Sequence, residues 1–288
     1  MGAKTRILCI AGPTASGKTA RAVSEALARD GEVISVDSRQ VYRMLDIGAE
    51  KVTPDEMRGV PHHLIDIRDP EETYTAADFA KDAARLIEEI SARGKLPILA
   101  GGTHFYFDAL LRGLPESVPP DRALRARLAH VPDEALLARI RARDPRRAGE
   151  LDPHNRRRLI RALEIIESQG AVPRRGAAAV PYDVEWLFIE PELSELRARI
   201  DEREALKFPR GLVAEVERVR ARVKDARLDE LGLEYRIVGE YLRGERTYES
   251  MLPALRAKLW QYARRQRAWL RKLRSEVIAE ERPNQDRS

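Results

Sequence analysis

Two kinds of hydrophobic spacing alternate along the chain. Arg6–Ala11, Val33–Val36 and Leu96–Ala100 are short, almost unbroken apolar runs, the pattern of strands buried on both faces. Between them apolar positions recur every three or four residues. Lys18–Arg29 reads as one helix. Thr75-Ala-Ala-Asp78 resembles a capping box, and Phe79, Ala83, Leu86, Ile87 and Ile90 continue it on one helical face, with Gly94 as its stop. Strand, helix, strand in alternation predicts an α/β fold with a parallel sheet and crossover helices on its flanks.

After residue 112 the rhythm changes. Pro115, Pro119 and Pro120 break the chain, and short arginine-rich helical stretches follow, so residues 113–155 read as a helical insertion subdomain. Arg156–Gln169 is a helix with Leu159, Leu163 and Ile166 on one face and Gly170 at its end. Residues 171–181 read as a linker and Glu185–Ile189 as a further core strand. The rest is mostly helical, ending in a long helix from about Pro253 to Ala279. The division expected is a first part of the core at 1–112, the insertion, a completion of the core with C-terminal helices at 156–282, and a disordered tail at 283–288.

The 288 residues suffice for a core domain and a smaller one, and 43% hydrophobic residues can fill a core. No apolar stretch reaches the roughly 20 residues of a membrane span, and the N-terminal apolar run lacks a cleavage site. With Cys9 as its one cysteine, inside an apolar run, the chain has neither an internal disulfide nor a Cys-based zinc site, and a cytoplasmic setting is expected. The net charge is +5 and arginine dominates the basic residues. That surface suits phosphate or nucleic acid, and equally suits plain solvation.

Gly12-Pro-Thr-Ala-Ser-Gly-Lys18-Thr19 fits the phosphate loop G-x-x-x-x-G-K-[ST], after a predicted strand and at the start of a predicted helix. Gly12, Pro13, Thr14, Ala15, Ser16 and Gly17 supply the backbone cradle for a diphosphate, Lys18 a full charge, and Thr19 a hydroxyl for Mg²⁺. The fold class expected is therefore a P-loop NTPase-like parallel sheet with flanking helices and a helical insertion. The loop names a diphosphate site, not a reaction. Leu96–Ala100 ends in glycines rather than an acid; Asp37, after Val33–Val36, lies at the same sheet edge, as a metal ligand, a base or a turn residue. His62 and His63 follow Pro61 at a strand entrance and read as structural; Trp186, Trp260 and Trp269 read as core.

In order along the chain stand GPTASGKT at 12–19, ISVDSRQVYRMLDIGAEK at 34–51, PHHLIDI at 61–67, YTAADF at 74–79 and PILAGGTHFYFDALL at 97–111. RRLIRALEI at 157–165, RIDER at 199–203 and QYARRQRAWLRKL at 261–273 complete the series. Together they resemble the tRNA dimethylallyltransferase (tRNA isopentenyltransferase) family. The resemblance implies dimethylallyl diphosphate as donor, the exocyclic amine of the adenine 3′ of the tRNA anticodon as acceptor, and a helical insertion that grips the anticodon stem-loop. It implies Asp37, Thr19 and Arg203 in catalysis, with Arg203 on the diphosphate and Thr19 on Mg²⁺. It assigns Asp37, Ser38, Arg39, Gln40, Thr103, Arg125, Arg157, Arg158, Leu159, Ile160 and Arg161 to tRNA, with Arg264, Arg265 and Arg267 as a basic face on the last helix. A monomer without membrane attachment is expected.

The chain departs from the family in four places, one of them residues 171–181, which replace a longer family segment. The insertion is short. Lys207-Phe-Pro-Arg-Gly211 replaces a Met-x-x-x-Gly, so the helix after Arg203 is expected to break early. Leu233-Glu-Tyr235 stands where Gly-Tyr precedes a Glu. Other readings of the residues are a P-loop kinase for a small metabolite, an adenine-nucleotide prenyltransferase, and a noncatalytic RNA-binding module.

Overall fold

The computed structural model describes residues 4–114, 118–173 and 180–281. Pro115, residues 174–179 of the expected linker, and the tail at 283–288 lie outside the described residues. Contacts divide the chain into two compact units, residues 1–111 with 179–288, and residues 112–178.

The larger unit is built on a five-stranded sheet. Its elements begin β1 (Thr5–Ala11), α1 (Lys18–Arg29), β2 (Gly31–Val36), α2 (Pro54–Met57), β3 (His62–His63), α3 (Ala76–Ala92), β4 (Leu96–Gly101) and α4 (His104–Arg112). The smaller unit holds α5 (Arg122–Leu128), α6 (Asp133–Arg143), α7 (Pro145–Glu150) and α8 (Arg156–Gln169). The larger unit resumes with β5 (Tyr182–Phe188), α9 (Leu193–Lys207), α10 (Leu212–Arg220), α11 (Asp225–Leu231), α12 (Leu233–Leu242) and α13 (Tyr248–Glu281).

Every strand pairing is parallel, in the order β3-β2-β4-β1-β5. This explains the unbroken apolar runs. Ile7, Leu8, Cys9, Ile10 and Ala11 of β1 are wholly buried, because a strand in the interior of a parallel sheet is covered on both faces. Cys9 is inert there, its thiol pushed far above the ordinary range by burial. The register sets Ala11 and Val36 opposite Gly101, so the loops after β1, β2 and β4 open at one edge.

Local signals are met where they were strong. Thr75 and Asp78 make both bonds of the capping box, and Phe79, Ala83, Leu86, Ile87 and Ile90 lie on the buried face of α3. Gly94, at φ +74°, ends the turn. β5 begins three residues before the expected Glu185, since Tyr182, Asp183 and Val184 pair with Thr5, Arg6 and Ile7. It is a half-buried edge strand, so its start carries no apolar run. α13 starts before Pro253 and takes the proline into its body. α9 does stop early, at Lys207, ahead of Pro209; Gly211, at φ +99°, opens α10.

The second unit reaches further than expected. α8 belongs to it rather than to the completion of the core. Leu159, Ala162, Leu163 and Ile166 form one apolar cluster with Leu124, Leu128, Leu136 and Ile140 of α5 and α6. Short amphipathic helices cannot bury their apolar stripes alone, and α8 is the surface against which this unit closes.

Candidate active site at the phosphate loop

β1 ends at Ala11 and α1 begins at Lys18; Gly12–Gly17 make the turn between them. Ala15 (φ +60°) and Gly17 (φ +87°) take left-handed conformations that curl the loop. At Gly12 a Cβ would sit 2.6 Å from the Ile189 carbonyl oxygen, so no larger residue fits this turn. Lys18 Nζ folds back to donate to the Pro13 carbonyl at 2.5 Å. Burial lowers the Lys18 ammonium from 10.5 to about 8, with Asp37 opposing the fall and Arg203 adding to it. Thr19 is exposed on the first turn of α1.

Two elements distant in sequence hold this loop. Arg203 of α9 donates from a terminal nitrogen to Thr14 Oγ1 at 2.8 Å. Gln266 of α13 accepts the Thr14 N–H at 2.8 Å and donates to the Gly102 carbonyl at 2.9 Å, tying the loop to the end of β4. Sequence reasoning misses Gln266. It stands inside the 261–273 segment, among arginines whose charge makes them the more conspicuous candidates. His104, on the first turn of α4, stacks on Trp269 with ring centroids 3.9 Å apart. Burial, with Lys18 adding to it, lowers His104 to about 4, so the ring is neutral near pH 7.

Asp37 lies just past β2. Its Oδ1 accepts the N–H groups of Arg39 at 2.7 Å and Gln40 at 3.3 Å, a turn-capping role. Thr103 Oγ1 accepts the Ser38 N–H at 3.1 Å, and the Thr103 N–H donates to the Val36 carbonyl, so the β2 and β4 ends are laced together. Gly101 permits this: a Cβ there would meet the Val36 carbonyl oxygen at 2.1 Å. Arg39 donates to the Glu230 carbonyl and Gln40 to the Glu50 carbonyl, both holding neighbouring backbone in place. The structure thus brings together the 12–19 loop, Asp37, Ser38, Thr103 and Arg203 at one sheet edge.

The remaining candidates lie in the helical unit. Arg125 and Arg161 converge on the buried Glu164, Arg125 with a two-pronged contact at 2.7 and 3.0 Å and Arg161 at 3.1 Å. Arg157 and Arg158 are exposed on α8. Leu159 is fully buried and Ile160 packs against the same cluster, so the Leu159 side chain fills the core instead of reaching a partner. Arg267 leaves the expected basic face as well. It is buried, donating to the Pro191 carbonyl and pairing with Glu190, while Arg264 and Arg265 stay exposed. His62 Nδ1 donates to the Val60 carbonyl and His63 meets Glu32, structural contacts both. Trp186, Trp260 and Trp269 are half-buried rather than core, each with one face in an aromatic or cation contact.

Known proteins are similar to this chain in sequence and in structure. The sequence model of IPP transferases matches residues 40–273. A tRNA dimethylallyltransferase of Thermomicrobium roseum is 43% identical over 95% of this chain and 86% of its own length. A tRNA dimethylallyltransferase of Trichlorobacter lovleyi is 43% identical over 93% and 91%. The crystal structure of a tRNA isopentenylpyrophosphate transferase from Bacillus halodurans is similar, with a TM-score of 0.69 at 38% identity over 93% of this chain and 87% of that one. That of a eukaryotic dimethylallyltransferase acting on tRNA has a TM-score of 0.78 at 26% identity, over 92% and 70%. This similarity over nearly the whole chain identifies the protein as a member of the IPP transferase family, that of the tRNA dimethylallyltransferases.

Proposed function

We propose that this chain transfers a dimethylallyl group from dimethylallyl diphosphate to the N6 amine of the adenosine 3′ of the anticodon in tRNA, releasing diphosphate. The observation that carries the reading is the Arg203–Thr14 bond, which sets a second full positive charge on the phosphate loop beside Lys18. As the allylic C–O bond breaks, its electron pair goes to the diphosphate. Fixed donors aimed at that growing charge lower the barrier of such a reaction more than any other single device. The loop N–H groups, Lys18 and Arg203 are those donors.

The amine attacks the allylic carbon, forms the new N–C bond and must lose a proton. Asp37, at the same sheet edge and close enough to Lys18 to raise its pKa, is the acceptor in this reading. The exposed Thr19 hydroxyl is a hard oxygen donor of the kind Mg²⁺ takes together with water and substrate oxygens. When bound, Mg²⁺ supplies further charge neutralisation on the leaving diphosphate.

Ser38 and Thr103, at the mouth between the β2 and β4 ends, are proposed to meet the RNA. Arg157 and Arg158 are proposed to meet its phosphates from the helical unit, with Arg125 and Arg161 reaching it through their outer faces. The target base leaves the anticodon-loop stack to reach the phosphate loop, as enzymes acting on a base require. The protein is proposed to act as a cytoplasmic monomer.

The test incubates the full chain with Mg²⁺, radiolabelled dimethylallyl diphosphate and an anticodon stem-loop carrying adenosine, or guanosine, just 3′ of the anticodon. AMP is run alongside. Label on the adenosine RNA alone is expected. Label on AMP moves the activity to free nucleotides, and turnover of ATP without transfer replaces the reading with a kinase.

A further inference from the structure

Residues 207–211 and 233–235, far apart in sequence, meet in the fold. Lys207 is the last residue of α9, and Glu234 stands in the first turn of α12. Lys207 Nζ lies 2.7 Å from Glu234 Oε1 and 2.9 Å from Glu204 Oε1. The Lys207 and Glu204 side chains have no exposed surface at all. Ion pairs this deep are uncommon, because the desolvation of each charge is comparable with the Coulomb energy regained.

The cluster does not end at Glu234. Glu204 Oε1, the oxygen that Lys207 holds, also faces Arg203 Nε at 3.4 Å. Arg203 reaches from its other end to Thr14 Oγ1. On the far side Lys207 nears Glu50 at 3.8 Å, and Glu50 pairs with Arg210 at 3.7 Å. Charges of alternating sign therefore run from Arg210 through Glu50, Lys207 and Glu204 to Arg203 and the phosphate loop. Glu204 Oε2 is buried without a partner, so this carboxylate is held through the oxygen that Lys207 and Arg203 share. Burial alone would depress Lys207, but Glu234 and Glu204 reverse that and keep it above its ordinary value, charged throughout the neutral range. Without the Lys207 charge, Glu204 would keep the Arg203 guanidinium as its contact, in competition with Thr14.

We infer that Lys207 is a positioning residue. Through the Glu204 oxygen that it shares with Arg203, it frees that guanidinium to face Thr14, and so sets the affinity of the phosphate loop for diphosphate. The inference rests on the loop being a diphosphate site, as proposed above.

The test is a double-mutant cycle on the full chain, read as the Kd for inorganic pyrophosphate with Mg²⁺ by titration calorimetry. Lys207→Met alone strands buried carboxylates and endangers folding, so the first arm is the charge-balanced Lys207→Met/Glu234→Gln. It is expected to melt within a few degrees of the wild type and to bind pyrophosphate about tenfold more weakly, with an unchanged KM for the anticodon stem-loop. In an Arg203→Ala background the same pair of changes is expected to alter the Kd less than about twofold. An equal loss in both backgrounds, or no loss in the presence of Arg203, overturns the inference and leaves Lys207 as a structural tie. If the paired variant does not fold, the near-isosteric Glu204→Gln is read in the same two backgrounds. It removes the carboxylate that competes with Thr14 for Arg203, so pyrophosphate is expected to bind more tightly where Arg203 is present and unchanged where it is not. Weaker binding with Arg203, or an equal change in both backgrounds, overturns the inference. A wild type that binds no pyrophosphate overturns the diphosphate reading itself, and this inference with it.

Discussion

Asp37 Oδ1 caps two backbone N–H groups, so an alanine there would remove a turn together with a carboxylate. Asp37→Asn separates the two, because the amide oxygen can still accept those bonds while the base is gone. The variant is expected to keep its melting temperature and to lose about 10²-fold or more in kcat for prenyl transfer. A kcat near wild type would remove Asp37 from proton transfer. His104 makes a different prediction. Its folded value of about 4 lies below the ordinary 6.5, so the unfolded chain takes up the proton first. The stability this neutral ring contributes is complete above pH 6.5 and is lost as the pH falls toward 4, by up to about 3 kcal/mol. His104→Phe keeps a ring to stack on Trp269 and removes the titration. Its unfolding free energy, by urea titration across that window, is expected to fall less steeply than that of the wild type; parallel curves would refute the assignment. Among single residues, the turn at 12–17 and the place of Asp37 past β2 are legible in the sequence because each lies in a consecutive motif. Gln266 and the burial of Lys207 are not. The Thr14 partner of Gln266 is 252 residues away, and the Glu234 partner of Lys207 is 27 away across two intervening helices. Nothing in local spacing marks a glutamine or a lysine as buried.

Elements follow the same division. α3 is readable to within a residue because its cap and its apolar face are both local, while the start of β5 is not, because an edge strand lacks the apolar run that reveals a central one. α8 is legible as a helix, yet its sequence points to the wrong body. An amphipathic stripe states that a face is buried, not what buries it, and the partners of Leu159 and Leu163 are helices whose own stripes are short. α13 acts on the phosphate loop through one amide. Gln266→Leu preserves much of the volume and leaves the Thr14 N–H and the Gly102 carbonyl without their partner. A loss of about 1–3 kcal/mol in unfolding free energy is expected, with a raised KM for the diphosphate donor. A stable variant with an unchanged KM would show that α13 braces the sheet without shaping the loop.

For the molecule as a whole, the amount of charge is plain from the sequence and its arrangement is not. The net +5 is not a uniform coat. Arg125 and Arg161 neutralise the buried Glu164, Arg267 pairs with Glu190, and Arg157 and Arg158 remain exposed. The double change of Arg157 and Arg158 to alanine is expected to flatten the dependence of stem-loop binding on log[salt] by about 1–2 units, while leaving pyrophosphate binding unchanged. An unchanged slope would mark both as solvated residues.

The buried pair of Lys207 and Glu234 also constrains how such a sequence can arise. Removing either partner of a buried ion pair alone costs about 3–5 kcal/mol, a large part of the roughly 5–15 kcal/mol by which a domain is stable, whereas exchanging both for uncharged residues is close to neutral. An ancestor with neither charge and a descendant with both are thus separated by a valley, whichever residue changes first. Crossing it takes a near-simultaneous double change, or a period of surplus stability contributed elsewhere. Once crossed, the same valley closes the way back, so the two positions are inherited as one character.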